Sequence, residues 1–188
     1  MIQTIPIDEL LTPVSSPTGG DMRPCGTWGD EQDGVLQIIV DRLENPLVVH
    51  RETVSGPDGE ELVNGTLKPA RPDPSWAAVR DAALLLFRGG TGEFEGMKFT
   101  VKPARHLGVA AVLALALVET DGMAGLADGL TLMHGLLERF WDSLHPPGEE
   151  GEDDPYFRRA NHLRRLQAPY GERADKWRLL GRLYEKPL

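Results

Sequence analysis

The chain has 188 residues, 40% of them hydrophobic, enough for one ordinary domain with a core of its own. Twenty basic against 29 acidic side chains give a formal charge of −9, which argues against a general binder of nucleic acid or anionic membrane, because phosphate neutralisation needs clustered positive charge. A single cysteine, Cys25, excludes an internal disulfide and any cysteine-only metal site and fits a reducing compartment.

The start, MIQTIPIDELL, has acids in place of a positive leader and no long apolar run, so no secretory signal is read there. Residues 1–27 form an irregular arm: a short helix, Ile7–Leu11, is stopped by Pro13 and followed by Ser, Pro, Thr and Gly. Gly19-Gly20-Asp21 lacks both the Walker lysine and the GxGxxG spacing and is read as turn chemistry. From Glu31 to Leu43, Val35, Ile38, Ile39 and Leu43 make an amphipathic helix that Asn45-Pro46 ends.

Two β-leaning runs, LVVHRETV and ELVNGTL, flank SGPDGE and predict a hairpin at 47–67. His50 stands alone on it and is not read as a metal ligand. KPARPDPS at 68–75 is an extended connector that delivers the chain to Ser75, the N-cap of a core helix over 76–87 with Trp76, Val79, Ala83 and Leu86 at helical spacing. The stretch 88–102 predicts a glycine-rich loop and one short strand, Met97 to Val101, placed to join the first hairpin. No helix follows those glycines at once, so they are not read as a phosphate cradle.

Residues 104–147 hold two apolar helical patterns joined by a short glycine-bearing turn. Leu107 to Val118 is almost wholly Ala, Val and Leu, so it should be covered on most sides; it is too short for the roughly twenty residues of a bilayer span. In the second half Leu126, Leu130, Met133, Leu137, Phe140 and Trp141 share one helix face, which the pattern predicts to be buried. Beyond lies an acidic loop, Glu149 to Asp154, without the EF-hand alternation and read as solvated. The C-terminal helical tail, 155–188, reverses sign: Arg158, Arg159, Arg164, Arg165, Arg173, Lys176, Arg178 and Arg182 face Glu172 and Asp175. Leu163, Leu166, Trp177, Leu180 and Tyr184 place apolar faces on either side of a turn at 168–171, so the tail reads as two helices.

No catalytic constellation emerges. His134 and Glu138 are four apart but lack the second histidine of H-E-x-x-H, and a site joining them to His145 would need an unseen fold. Ser143 and His145 come without an orienting acid or a G-x-S-x-G elbow. Cys25 is not read as a nucleophile. No enzyme activity, cofactor or metal is expected.

Three separated pieces resemble the N-terminal (ImpA N-terminal) domain of the type VI secretion protein TssA family. LLTPVSSPTGGDMRP at 10–24 is similar to the family's opening, with Asp21 and Arg23 in its Gly-x-Asp-Leu-Arg pattern. SWAAVRDAALLLF at 75–87 resembles its Trp-x-x-Val helix, beginning with Trp76. Most specific is DGMAGLADGLTLMHGLLERFWDSLHPP at 121–147: Gly125, Leu126, Gly129 and Leu130 fall on the family's Gly-Leu repeat, and Trp141, Asp142, Leu144 and Pro146 on its Trp-Asp-x-Leu-x-Pro exit. FRRANHL at 157–163 also fits, so the resemblance spans most of 8–168. Where the family has Ser-Lys-Asp-Leu, this chain has Ala104-Arg105-His106-Leu107, which keeps only Leu107 of that pattern.

The resemblance implies a mainly α, helical bundle-like single domain over 1–188, and the β segments read from the sequence at 47–67 and 88–102 are insertions added to the family's helical pattern. It implies a non-enzymatic docking component in the bacterial cytoplasm, recruited to the inner face of the envelope. Its partners would be baseplate, membrane-complex, tube or sheath proteins, with a homo-oligomer open and no membrane insertion. Family members are longer and carry C-terminal oligomerisation regions, so the chain is expected to be a domain fragment or a short relative. The alternative is a domain that binds a ligand or nucleic acid through the basic tail, 158–182.

Overall fold

The computed structural model describes residues 5–14, 24–44, 47–55, 61–69, 72, 74–148 and 153–166. In chain order these form α1 (Ile7–Leu10), α2 (Asp30–Leu43), β1 (Leu47–Ser55), β2 (Glu61–Pro69), α3 (Trp76–Arg88), β3 (Gly90–Phe94), β4 (Met97–Val101), α4 (Leu107–Phe140) and α5 (Phe157–Leu166). The fold is mainly α with small antiparallel strand pairs, in line with the sequence patterns.

At its centre, α4 is a helical hairpin. Gly122 has φ 62° and ψ −133°, a conformation that only glycine adopts without strain, and the helix reverses there into a first arm (107–121) and a second arm (123–140). The arms run close because their contact residues are small. A Cβ at Gly129 would lie 2.7 Å from the Ala114 Cβ, and one at Gly125 would lie 2.1 Å from the Leu117 carbonyl oxygen. Every residue from Leu107 to Val118 is buried. By length and composition Leu107–Phe140 would pass for a membrane span, but the reversal leaves each arm short of one and turns the apolar first arm into the core of this protein.

Around this hairpin the other helices lay down their apolar faces. Val35, Leu36, Ile39, Val40 and Leu43 of α2 and Val79, Ala82, Ala83, Leu86 and Phe87 of α3 are buried. The Ser75 Oγ accepts from the Ala78 N–H and starts α3, as the sequence suggests. Part of the N-terminal arm is also core: Leu10 and Leu11 are buried, and Leu11 sits where a Cβ on Gly135 would be. The Val14 N–H donates to the Pro24 carbonyl at 2.9 Å and ties the two described ends of the arm together.

Two sequence expectations are corrected. The segment 88–102 is not a loop plus one strand joining the first hairpin. Gly90–Phe94 is itself a strand, paired antiparallel with Met97–Val101, and β1–β2 and β3–β4 are separate two-stranded sheets. Glu95 and Gly96 both have positive φ, at 51° and 80°, and supply the two left-handed residues that a two-residue hairpin turn requires. The Met97 strand therefore finds its partner locally, and Phe94, Phe99 and Val101 pack into the core.

The second correction concerns the face of the second arm. Met133 and Phe140 are buried, but Leu126 and Leu137 are half-buried, and Leu130 and Trp141 remain 46% and 41% exposed. The glycines decide this: Gly125 and Gly129, with Leu132 and Leu136, turn toward the first arm, which rotates the Leu126–Leu130–Leu137 row outward. Asp21, Arg23, the Gly19-Gly20 turn, residues 149–152 of the acidic loop and the tail beyond Leu166 lie outside the described residues.

Gly125→Ala is expected to lower stability by about 1–3 kcal/mol, because the new methyl group meets backbone that cannot rotate away. Urea unfolding followed by circular dichroism measures this, and an unchanged midpoint would show that the arms have room to part.

Candidate functional site

Folding α4 back on itself brings its entry and its exit together. The Leu107 N–H donates to the His145 carbonyl at 2.8 Å, the His145 N–H to the Arg105 carbonyl at 3.1 Å, and the Arg105 N–H to the Cys25 carbonyl at 2.8 Å. Three stretches far apart in sequence thus meet at the base of the hairpin.

Two buried arginines satisfy the carbonyls that this junction leaves exposed to the interior. Arg105 donates from Nη1 to Phe87 O at 2.7 Å and from Nη2 to Thr12 O at 3.0 Å, joining the end of α3 to the N-terminal arm. Arg159, 2% exposed, donates from Nε to Pro146 O at 2.8 Å, from Nη1 to Trp141 O at 2.7 Å, and from Nη2 to Leu144 O. Its guanidinium also lies 4.8 Å from the Trp141 ring centroid and 5.0 Å from that of Tyr156. A cation on the last carbonyls of a helix is favourable for the helix dipole as well as for the hydrogen bonds.

Beside them is a cluster of rings. His106 is the N-cap of α4, its Nδ1 accepting from the Gly108 N–H at 2.9 Å. Its ring lies 4.1 Å from that of Trp28 and 5.2 Å, edge-on, from that of His162. Burial pushes the His106 pKa well below the usual histidine value, and His162, His145 and Arg159 push the same way. The neutral ring therefore carries its proton on Nε2. Between α2 and α5, against His106 and Pro146, runs an open groove of about 520 Å³.

The nucleophilic and titratable side chains near this junction are engaged with their neighbours. The Cys25 thiol is buried, lies 3.3 Å from the Ser143 hydroxyl and has its pKa raised, chiefly by burial, which disfavours the thiolate. His145 Nε2 lies 3.2 Å from the Gly26 carbonyl, so that histidine is engaged with backbone. His134 and Glu138 form a surface pair at 3.9 Å with both side chains well exposed. Among the described residues no group of three or more His, Cys, Asp or Glu side chains is placed to hold a metal.

The residues singled out from the sequence separate into two sets. Leu107, Gly125, Gly129, Leu144 and Pro146 are buried and serve the hairpin and its exit. Leu130, Trp141 and Asp142 are exposed, and Leu126 and Trp76 are half-buried. Sequence reasoning missed Arg105, His106, Arg159, Trp28 and Gln32. Gln32 accepts from Gly29 N–H at the start of α2 and donates to Thr27 O and Lys102 O. Arg159 stands in the sequence as one of a run of tail arginines, and nothing local distinguishes it as the one that takes backbone carbonyls. For His106 the available signal was its position directly before an apolar helix, where Ser, Thr, Asp or Asn is the usual cap.

Protonation of His106 removes the acceptor for Gly108 and places a charge beside Arg159, His145 and His162. Since its folded pKa is depressed, its contribution is fully present above the unfolded value of about 6.5 and falls by up to about 1.4 kcal/mol per pH unit below it, until the folded pKa is passed. Urea midpoints between pH 7.5 and 5 should show this decline, and His106→Asn, which keeps a capping oxygen, should flatten it. Arg159→Met should cost about 2–4 kcal/mol by leaving three carbonyls without their donor. Arg159→Lys should recover little, since one ammonium cannot replace the planar fork; full recovery in the same unfolding assay would contradict this account.

Comparison with known proteins bears on this region directly. Residues 95–168 match the family model described as ImpA, N-terminal, type VI secretion system. That span contains both arms of α4, their exit and α5, while the pieces at 10–24 and 75–87 lie outside it. The chain is 33% identical over 108 residues to the type VI secretion system component TssA1 of Pseudomonas aeruginosa, an alignment covering 57% of this chain and 27% of the relative. The chain thus corresponds to about a quarter of that protein's length. The fold is similar to a solved N-terminal domain, including the conserved ImpA N-terminal region, of the TssA component from Burkholderia cenocepacia. The TM-score is 0.52 at 23% identity, over 88% of this chain and 49% of that one. The similarity to the ImpA N-terminal family of the type VI secretion system thus falls on residues 95–168, which build the α4 hairpin and the α5 helix that closes its base.

Proposed function

We propose that this protein is a non-enzymatic docking component of a type VI secretion system, working in the bacterial cytoplasm against baseplate, membrane-complex, tube or sheath proteins. We also read residues 1–188 as one bundle-like domain with the helices gathered around the α4 hairpin.

The observation that carries the reading is the apolar row on the outer face of the second arm, inside the family-matched segment. Met123, Leu130 and Trp141 are 54%, 46% and 41% exposed, and the half-buried Leu126 and Leu137 join them at helical spacing. The opposite face of the same arm is already filled by the first arm. Large apolar side chains presented together on a rigid helix favour contact with another protein. The reading that makes the basic tail a nucleic-acid site is weakened where it can be tested: Arg159 is buried on backbone carbonyls and does not face solvent.

Affinity capture of the chain from cells that assemble the machine should recover at least one baseplate, membrane-complex, tube or sheath subunit. Leu130→Lys should reduce that recovery about ten-fold or more with little change in melting temperature, because it charges an exposed hot-spot position without touching the core. Failure to recover any such subunit from those cells would reject the proposal.

A further inference from the structure

Helix α2 runs beside strand β4 and is tied to its hairpin at both ends. Near the start of α2, Gln32 Nε2 donates to the Lys102 carbonyl at 3.3 Å, just past the strand. Near its end, Arg42 forms an ion pair with Glu95 of the hairpin turn at 3.0 Å. Between these ties lies an open cleft of about 460 Å³. Glu31, Gly34, Val35 and Ile38, at helical spacing, form its α2 wall, and residues 97–100 of β4 form the other.

The β4 wall is a strand edge. In a two-residue hairpin the residues that flank the turn, here Phe94 and Met97, exchange backbone hydrogen bonds. Bonded and open pairs then alternate, so Phe99 is bonded to Gly92 within the ladder, whereas Lys98 and Thr100 aim their N–H and carbonyl groups away from β3. Among the described residues no third strand covers that edge, and no backbone hydrogen bond from another segment reaches it. Unpaired edge groups are a template for an added strand.

Two further features set the chemistry of an occupant. Ile38 and Met97, both half-buried, offer apolar surface within the cleft. At its other end, by the start of α2, Asp30 and Glu31 are exposed and have no hydrogen bond or ion pair from their side chains among the described residues. They suit the first turn of a helix in any case, so they set the sign of the occupant's charge rather than marking the site. Lys98 lies across the ladder from Glu93 and is opposed by an acid of its own hairpin.

We propose that the edge of β4 takes an extended segment of a partner protein as a third strand. Its backbone pairs with Lys98 and Thr100, an apolar side chain lies against Ile38 and Met97, and a Lys or Arg side chain meets Asp30 and Glu31. The site rests on the docking reading for a protein occupant, but it is a different surface from the apolar row on the second arm.

The test is a titration of the full chain with acetyl-Lys-Val-Thr-Val-Thr-Val-Lys-amide, whose ends are basic whichever way it pairs, followed by ¹⁵N NMR and amide hydrogen exchange. In the free chain the Phe99 amide should be protected, and those of Lys98 and Thr100 should exchange fast. The peptide should bind saturably with a Kd of about 1 mM or below and slow exchange at Lys98 and Thr100 about ten-fold or more. A counterpart with proline for both threonines should bind about ten-fold more weakly, for want of strand donors, and one with glutamate for both lysines about five-fold more weakly. Gly34→Leu should keep or raise the melting temperature, since a Cβ there meets nothing within 4 Å and leucine is the better helix former, while filling the cleft and blocking the peptide. Asp30→Asn with Glu31→Gln should remove the preference for lysine over glutamate. Absence of saturable binding, binding that leaves Lys98 and Thr100 exchange unchanged, equal affinity for the proline peptide, wild-type binding by Gly34→Leu, or an unchanged lysine preference in the double variant would overturn the proposal. So would slow exchange of the Lys98 and Thr100 amides in the free chain, which would assign the edge to a second copy if it grew with concentration. The titration uses no secretion subunit, so its failure leaves the docking reading standing, and failed capture of subunits leaves the strand edge standing.

Discussion

The close approach of the two arms of α4, with Gly129 against Ala114 and Gly125 against Leu117, is the constraint on which the rest of the structure depends. It fixes the distance between the arms, and the reversal at Gly122 fixes their direction. With the first arm enclosed, α2, α3 and the β3–β4 hairpin have a continuous apolar surface to cover. The same approach determines which side of the second arm faces outward, so one backbone contact sets both the core and the exposed apolar row. Larger side chains at these glycines would separate the arms and change both at once.

A helical hairpin brings its two ends together, and helix ends carry unpaired backbone groups. Here they are buried at a junction of three chain segments, and the protein satisfies them with side chains of unusual kind. Arg159 serves the exit of α4, His106 its entry, and Arg105 the end of α3 together with the N-terminal arm. Each polar head has backbone partners, which is why charged or titratable groups are tolerated there. His106, the residue that begins the central helix, also lines the groove between α2 and α5.

Much of the fold was legible from local pattern. The helices at 30–43 and 76–88, the reversal in the central pair and the first hairpin follow from spacing, caps and turn residues that act within a few positions. The β3–β4 hairpin was only half legible, because a Glu-Gly turn is a weaker signal than Asn-Gly or Asp-Gly and Gly90–Phe94 has little strand character. The outward turn of Leu130 and Trp141 was not legible either. Apolar spacing says that a face exists, but which of two adjoining faces meets the neighbour depends on where the small residues allow close contact.

By itself the sequence determined the mainly α class, the glycine-bearing reversal in the central helices and the motif set that resembles the ImpA N-terminal family, because each depends on residues near one another in the chain. Tertiary structure alone decided that Arg105, His106 and Arg159 would be buried at one junction, that Cys25 would lie beside Ser143, and that α2 and α5 would enclose a groove. These contacts join residues up to 118 positions apart. Their energetics turn on burial and on unpaired carbonyls, neither of which exists until the arms of α4 have closed.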